Sequence, residues 1–192
     1  MVMPRRAIVF APHPDDESIA TGGLLMRLAA AGAAIRVAFL TDGDNDERNA
    51  AVRRFEARTA LSILGVSPDS AFFLGFPDQR LTQILQRRQF EMLSAVQSFV
   101  SDFQPDLIVG PSMDDAHPDH SAAAVLLQAI DVSRLTYIVH GPQREECQMR
   151  VWLTPRERER KRRAILAHES QLKRIRLECA DGDEHYGNHR SG

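Results

Sequence analysis

Two short segments carry residue types suited to metal-assisted hydrolysis: His13-Pro14-Asp15-Asp16-Glu17 and His117-Pro118-Asp119-His120. Imidazole and carboxylate are nitrogen and oxygen donors for a catalytic zinc, which takes three protein ligands and keeps a fourth position for water. Two histidines and one carboxylate complete such a set. The ion lowers the pKa of that water to about 7, so hydroxide is available at neutral pH. A second carboxylate beside the ligand can take the proton as general base, and the adjacent Asp15 and Asp16 suit that division of labour. The same donors suit Fe(II), whose oxygen chemistry uses two histidines and a carboxylate; the spare acid favours hydrolysis. Each segment also has a plainer reading, as acids favoured by a helix dipole or as a loop with two surface histidines. The two together are far more specific than either alone.

Both segments follow apolar runs that read as strands. Ala7–Ala11 is a continuous apolar run, suited to a strand buried on both faces. The pattern then predicts a helix over 17–31, with Leu24, Leu25 and Leu28 inward and Gly32 as its C-terminal cap. A strand over 35–40 follows, ending in Thr41-Asp42-Gly43, then a helix from about Asp46 to Leu64 stopped by Gly65. Next come a strand over 71–76 ending at Pro77-Asp78 and a long helix over 81–103, broken off by Pro105. Further strands are predicted over 107–110, 137–139 and 149–153, with a helix over 121–129 after the first of them. Thr154-Pro155-Arg156-Glu157 is a capping box with proline at the first helical position, and its helix places Ile165, His168, Leu172 and Ile175 on one face. The charged run 156–163 reads as a solvated helix face, because glutamates interleave its basic residues. Strands alternating with helices predict an α/β fold: a Rossmann-like, doubly wound, mostly parallel sheet with helices on both faces. No repeat, low-complexity tract or linker divides the chain, so residues 1–192 read as a single domain.

In such a sheet, ligands bind beyond the carboxyl ends of the strands. His13, Asp15 and Asp16 follow the first strand, Asp42 the second and Asp78 the third; Asp114, Asp115, His117, Asp119 and His120 follow the fourth, and His140 the fifth. The candidate groups therefore collect on one sheet edge. The net charge of −2 gives no reason to expect nucleic acid or an anionic membrane as partner. The first apolar run is cut by Pro12 and then by acids, too short for a signal or a membrane span, so a cytoplasmic protein without an anchor is expected. Cys147 and Cys179 are too few for a disulfide framework and too distant for a CxxC site, and read as free thiols.

Ala11-Pro12-His13-Pro14-Asp15-Asp16-Glu17-Ser18 resembles the (A)HPDDE signature of the LmbE/PIG-L family of zinc-dependent N-acetylglucosaminyl deacetylases, and His117-Pro118-Asp119-His120 resembles its HPDH signature. Arg53-Arg54-Phe55-Glu56 before Leu64-Gly65-Val66, Phe73–Asp78, Pro105–Val109 and Ala167-His168-Glu169-Ser170-Gln171 are similar to further family segments, in family order, over about residues 7 to 171. The resemblance implies His13, Asp16 and His120 as metal ligands and Asp15 as general base. It implies His117 as a protonated partner to the oxyanion or the leaving amine, with Asp119 tuning His117 or the metal's surroundings. One ionised and one protonated group then give a bell-shaped pH–rate profile.

Arg53 and Asp78 are candidate sugar contacts, although Arg53 could equally pair with Glu56 on its own helix. His168 reads as a core-facing histidine or a support beneath the site. The acidic loop Asp114-Asp115-Ala116 could alter access, and after Gln171 the match fades, so that the tail 181–186 either covers the pocket or frays. The implied substrate is a small N-acetylated amino sugar, with zinc as cofactor and, by family habit, a homo-oligomer. A metal-dependent amidase on a non-sugar or antibiotic N-acyl substrate and a non-catalytic sugar-binding module are the alternatives. The retained Asp15 argues against the binder, which has no use for a spare acid.

Overall fold

The computed structural model describes residues 3–142, 147–175, 177 and 181–188. Along the chain run β1 (Arg6–Ala11), α1 (Asp16–Ala30), β2 (Ala34–Thr41), α2 (Glu47–Leu64), β3 (Ala71–Phe76), α3 (Leu81–Phe103), β4 (Leu107–Pro111), α4 (Pro118–Gln128), β5 (Arg134–Tyr137), β6 (Met149–Val151), α5 (Pro155–Leu166) and β7 (Glu184–Asn188). They form one seven-stranded sheet of order β3-β2-β1-β4-β5-β7-β6. The first five strands in that order pair in parallel, and β7 pairs antiparallel with both β5 and β6.

The apolar run of β1 feeds two cores, because successive strand side chains point to opposite faces. Ala7, Val9 and Ala11 pack with Leu24, Leu25 and Leu28 of α1, Leu61 and Leu64 of α2 and Ala164 of α5. Ile8 and Phe10 pack on the other face with Met92 and Val96 of α3 and Leu126 and Leu127 of α4. Helices therefore cover both faces of the sheet. Strand order reverses direction between β1 and β4, so the loops leaving them diverge and open a crevice between. Both histidine-bearing segments begin at that crevice.

The helix ends follow their chemistry. The Asp46 side chain caps α2 by accepting from Arg48 N and Asn49 N, and Gly65, at φ 86°, closes it in the left-handed conformation. The capping box at Thr154 and Glu157 opens α5.

Several expectations are corrected. The fifth strand lies at 134–137, ahead of the predicted 137–139, and α4 begins at Pro118, three residues early, so its first turn contains Asp119 and His120. Helix α5 ends at Leu166 and a short 3-10 turn follows over Glu169–Gln171, which breaks the predicted stripe. Ile165 and His168 are buried, whereas Leu172 and Ile175 are partly exposed. The tail neither frays nor covers the pocket at 184–188: it is inserted between β5 and β6 as β7.

One member of the charged run, Lys161, is only 1% exposed, and its Nζ donates to Glu184 Oε1 at 2.6 Å. Glu184 also accepts from Gly23 N, Leu24 N and the Tyr186 hydroxyl, so β7 is fastened to α1 through one carboxylate. Gly23 permits this approach, since a Cβ there would lie 3.0 Å from Glu184 Cδ and Oε2, and 2.5 Å from Leu153 Cδ2. Cys147 is a half-buried free thiol, and Cys179 lies outside the described residues. No described helix is long and apolar enough to cross a membrane.

Candidate metal centre

The chain leaving β1 reaches Asp15 in a left-handed conformation, φ 141°, unusual for a residue with a side chain. Its neighbours hold it there. Asp15 N donates to Glu17 Oε2 at 2.9 Å, while Glu17 Oε1 accepts from Ser18 Oγ at 2.6 Å and pairs with His168 Nε2 at 3.0 Å. Arg53, 4% exposed on α2, donates to Pro14 O at 2.6 Å, to Gly43 O, and to Asp15 Oδ2 at 3.3 Å. Glu56 turns elsewhere, accepting from Ser170 N and Ser170 Oγ, so the helix-face pair with Arg53 does not form. Although Arg53 lines the cavity, its guanidinium is committed to the protein, and its first task is to fix Asp15.

Asp16, at the start of α1, is the meeting point. Its Oδ2 accepts from His13 N at 2.9 Å and lies 3.4 Å from His13 Nδ1 and 3.1 Å from His120 Nε2. Each of these two imidazoles is backed by a carboxylate. His120 Nδ1 is 3.1 Å from Asp115 Oδ2, and His13 Nε2 is 3.2 Å from Asp119 Oδ2 and 3.5 Å from Asp78 Oδ1. Such partners orient metal-binding histidines and fix which nitrogen is free. Asp119 is itself anchored by Leu81 N at 3.0 Å. Its carboxylate therefore serves His13, and only its backbone N–H serves His117. Asp115 accepts from His120 and also from His117 N, Val139 N and His140 N, tying the β4–α4 loop to the chain after β5.

His117 caps α4: its Nδ1 accepts from Asp119 N at 3.2 Å. That bond puts the ring proton on Nε2. Burial and the charges of His13 and His120 lower its pKa below 6.5, whereas the resemblance implies a protonated group at this position. The cavity above these residues measures about 690 Å3 and is also lined by Asp78, Gln79, His140, Gln171 and Arg174.

The charges are organised around the same point. Burial alone would lower His13, but Asp119 and Asp16 outweigh it and raise it to about 10. Burial likewise works against His120, and Asp16 and Asp115 raise it to about 9. Burial would raise Asp16, yet His120 and His13 hold it well below the usual carboxylate range. Burial and the neighbouring Asp16 charge raise Asp15 to about 6, against the pull of Arg53.

Residues of this crevice suit a divalent metal ion, although His13, Asp16 and His120 do not form one of the donor sets that already lie within 4.8 Å of one another. His120 Nε2 is buried without a hydrogen-bond partner among the described residues, although it sits beside Asp16. Donors about 2.0–2.1 Å from one tetrahedral ion are about 3.3–3.4 Å apart, close to the 3.1 and 3.4 Å separations around Asp16 Oδ2. The carboxylates that raise His13 and His120 would equally favour a divalent cation at this point. Donor atoms gather within 4.8 Å in three overlapping sets: His13–His117–His120, Asp16–His120–His140 and His13–Asp78–Asp119.

A model of the PIG-L family, described as GlcNAc-PI de-N-acetylase, matches residues 8–130, a span that contains both histidine segments. The chain belongs to the PIG-L family. Among proteins similar to this PIG-L chain is a 1D-myo-inositol 2-acetamido-2-deoxy-alpha-D-glucopyranoside deacetylase of Corynebacterium diphtheriae, 28% identical over 70% of this chain and 56% of the relative. The N,N'-diacetylchitobiose deacetylase of Pyrococcus horikoshii superposes with a TM-score of 0.75 at 20% identity, covering 97% of this chain and 84% of that one. A conserved protein of Thermus thermophilus superposes with a TM-score of 0.75 at 25% identity, covering 94% and 93%. The first curated relatives are longer: this chain spans from 36% to 56% of their length.

Sequence reasoning brought together His13, Asp15, Asp16, Asp78, His117, Asp119 and His120, and the structure places all seven within this one crevice. It placed Asp115 on this edge but read it only as part of an access loop and missed its partnership with His120. The available signal was its place two residues before His117, where an aspartate accepts the backbone N–H two positions on. His168, read as core-facing or as a support beneath the site, gives that support through Glu17, to which the sequence assigned no such role.

Proposed function

We propose that this chain is a zinc-dependent N-deacetylase acting on N-acetylglucosamine-type sugars or conjugates. The observation that carries this reading is the pairing of His120, free at Nε2 and clamped at Nδ1, with a spare carboxylate, Asp15, next to the ligand Asp16. In this reading His13 Nδ1, Asp16 Oδ2 and His120 Nε2 hold the ion. When bound, zinc supplies Lewis acidity towards an acyl oxygen and makes water acidic near neutral pH.

The protein's own groups do the rest. Asp15 Oδ1 or Oδ2 takes a proton from the attacking water, and its raised pKa suits a base that must also give the proton back. Arg53 holds that carboxylate in place. The Nε2–H of His117 donates to the acyl oxygen as negative charge develops there. The proton that Asp15 has taken is then delivered to the departing amine nitrogen, the amide C–N bond breaks, and acetate and the free amine result. Asp78 and Gln79, at the cavity wall, face the sugar, and Asp78 accepts from hydroxyl groups.

The amino-sugar substrates that the Corynebacterium and Pyrococcus proteins are named for support this class of substrate. The test is acetate release, with and without zinc, over a panel of N-acetylglucosamine conjugates and matched N-acetylated amines that lack a sugar. Zinc-dependent release from the sugars is expected. Release only from the non-sugar amides would reassign the substrate, and no release from protein shown to hold one ion would leave a binding role.

A further inference from the structure

His140 follows β5, and neither hydrolysis nor sugar binding has used it. Its position is nevertheless fixed with care. The backbone N–H groups of Val139 and His140 donate to Asp115 Oδ2 at 2.7 and 3.1 Å, and that same oxygen lies 3.1 Å from His120 Nδ1. From the other side, Ala116 N donates to His140 O at 2.7 Å. The residue is thus pinned through both of its backbone polar groups to the loop that carries the histidine segment. Its ring consequently stands 5.0 Å from the His120 ring, near edge-to-face at 71°, and 5.2 Å from the His117 ring. The donor atoms of Asp16, His120 and His140 lie within 4.8 Å of one another.

Resting on the metal reading above, we propose that His140 is a further protein ligand to the ion and fills the fourth position while no substrate is bound. A catalytic zinc site leaves one position open, and a fourth protein donor closes it. Drawing donors from within 4.8 Å to tetrahedral spacing would require a turn about the side-chain torsions of His140, which is exposed at the cavity wall. His117, the other imidazole of this edge, is held back as the cap of α4. Release of His140 on substrate binding would reopen that position to an oxygen lone pair, from water or the acyl group, without any proton leaving the imidazole. His140 then shields the site from stray anions and water in the resting protein and makes substrate binding a competition with the protein's own side chain.

The test compares wild type, His140→Ala, His140→Gln and His120→Ala. Cobalt or zinc affinity is read by competition with a chromophoric chelator, and the number of imidazoles on the ion by X-ray absorption in the absence of substrate. The proposal expects three imidazoles in wild type and two in both His140 variants, with an affinity loss of more than about tenfold. An unchanged imidazole count and affinity in both His140 variants, with binding abolished in His120→Ala, would overturn this inference and leave the metal reading standing. Unchanged binding in His120→Ala as well would sink both.

Discussion

Asp15→Asn is expected to slow acetate release by about 10²–10⁴-fold, the usual contribution of a positioned general base, while the protein keeps its metal. Asparagine is the informative substitution because of the backbone. Asp15 sits at φ 141°, and asparagine tolerates positive φ far better than alanine does. Its side-chain oxygen can still accept from Arg53, so the fold and the ligand Asp16 are left alone and only the capacity to take a proton is removed. The pH dependence follows with its sign. Asp15 acts as base when ionised, so activity falls as pH drops through its pKa, raised to about 6 by burial and by Asp16 in the metal-free protein; a bound cation pulls that value down. The bell-shaped profile expected from the sequence loses its alkaline limb, because His117 donates from a neutral ring whose Nδ1 is already an acceptor. Steady-state rates and metal content on the same preparations check this. A variant that keeps more than a tenth of the rate, or an alkaline limb that disappears in His117→Gln, would contradict it.

Zinc affinity is expected to rise about a hundredfold per pH unit up to about pH 9, because two imidazole protons must leave before the ion can bind. In the metal-free protein His13 and His120 are raised to about 10 and about 9, so both carry protons at neutral pH. Above about 9 only the His13 proton remains to be displaced and the slope halves; above about 10 it vanishes. The same shifts affect the apo fold in the opposite sense. A raised histidine stabilises the fold fully below the unfolded value of 6.5, and that contribution is lost as pH rises through about 9 and then about 10. Calorimetry in buffers of different ionisation enthalpy counts the protons directly. Two protons released per zinc at pH 7 are expected, and fewer than one would contradict the placement of these imidazoles on the ion.

What could be read from sequence was local. The β1 run, the glycine and capping-box ends of the helices and the two histidine segments each declare themselves within a few residues. The partners of those segments do not. His13 meets Asp119 across 106 positions, His168 meets Glu17 across 151, and Arg53 reaches Asp15 across 38. No periodicity records such pairings; the first follows from the strand order that sets β4 beside β1, the other two from the packing of α2 and the turn after α5 against the start of α1. Strand β7 was hidden for a different reason. Its inward positions include Glu184, which no apolar pattern would place in a core, and the compensating Lys161 lies in a helix whose charge density spoke for solvent. Asp115 looked like one acid among several because its value as an acceptor depends on backbone N–H groups of the loop after β5, whose end the sequence placed too late.

In the proposed centre, Asp16 gathers an ion between two histidines, each steadied by its own carboxylate. Anomalous diffraction at the zinc edge from crystals of the zinc-loaded protein tests this most directly. One strong peak is expected, bonded to His13 Nδ1, Asp16 and His120 Nε2, joined by His140 if the further inference holds, with Asp15 close by and not coordinating. A peak held instead by His13 Nε2, Asp78 and Asp119, or no peak in this crevice at full loading, would contradict it.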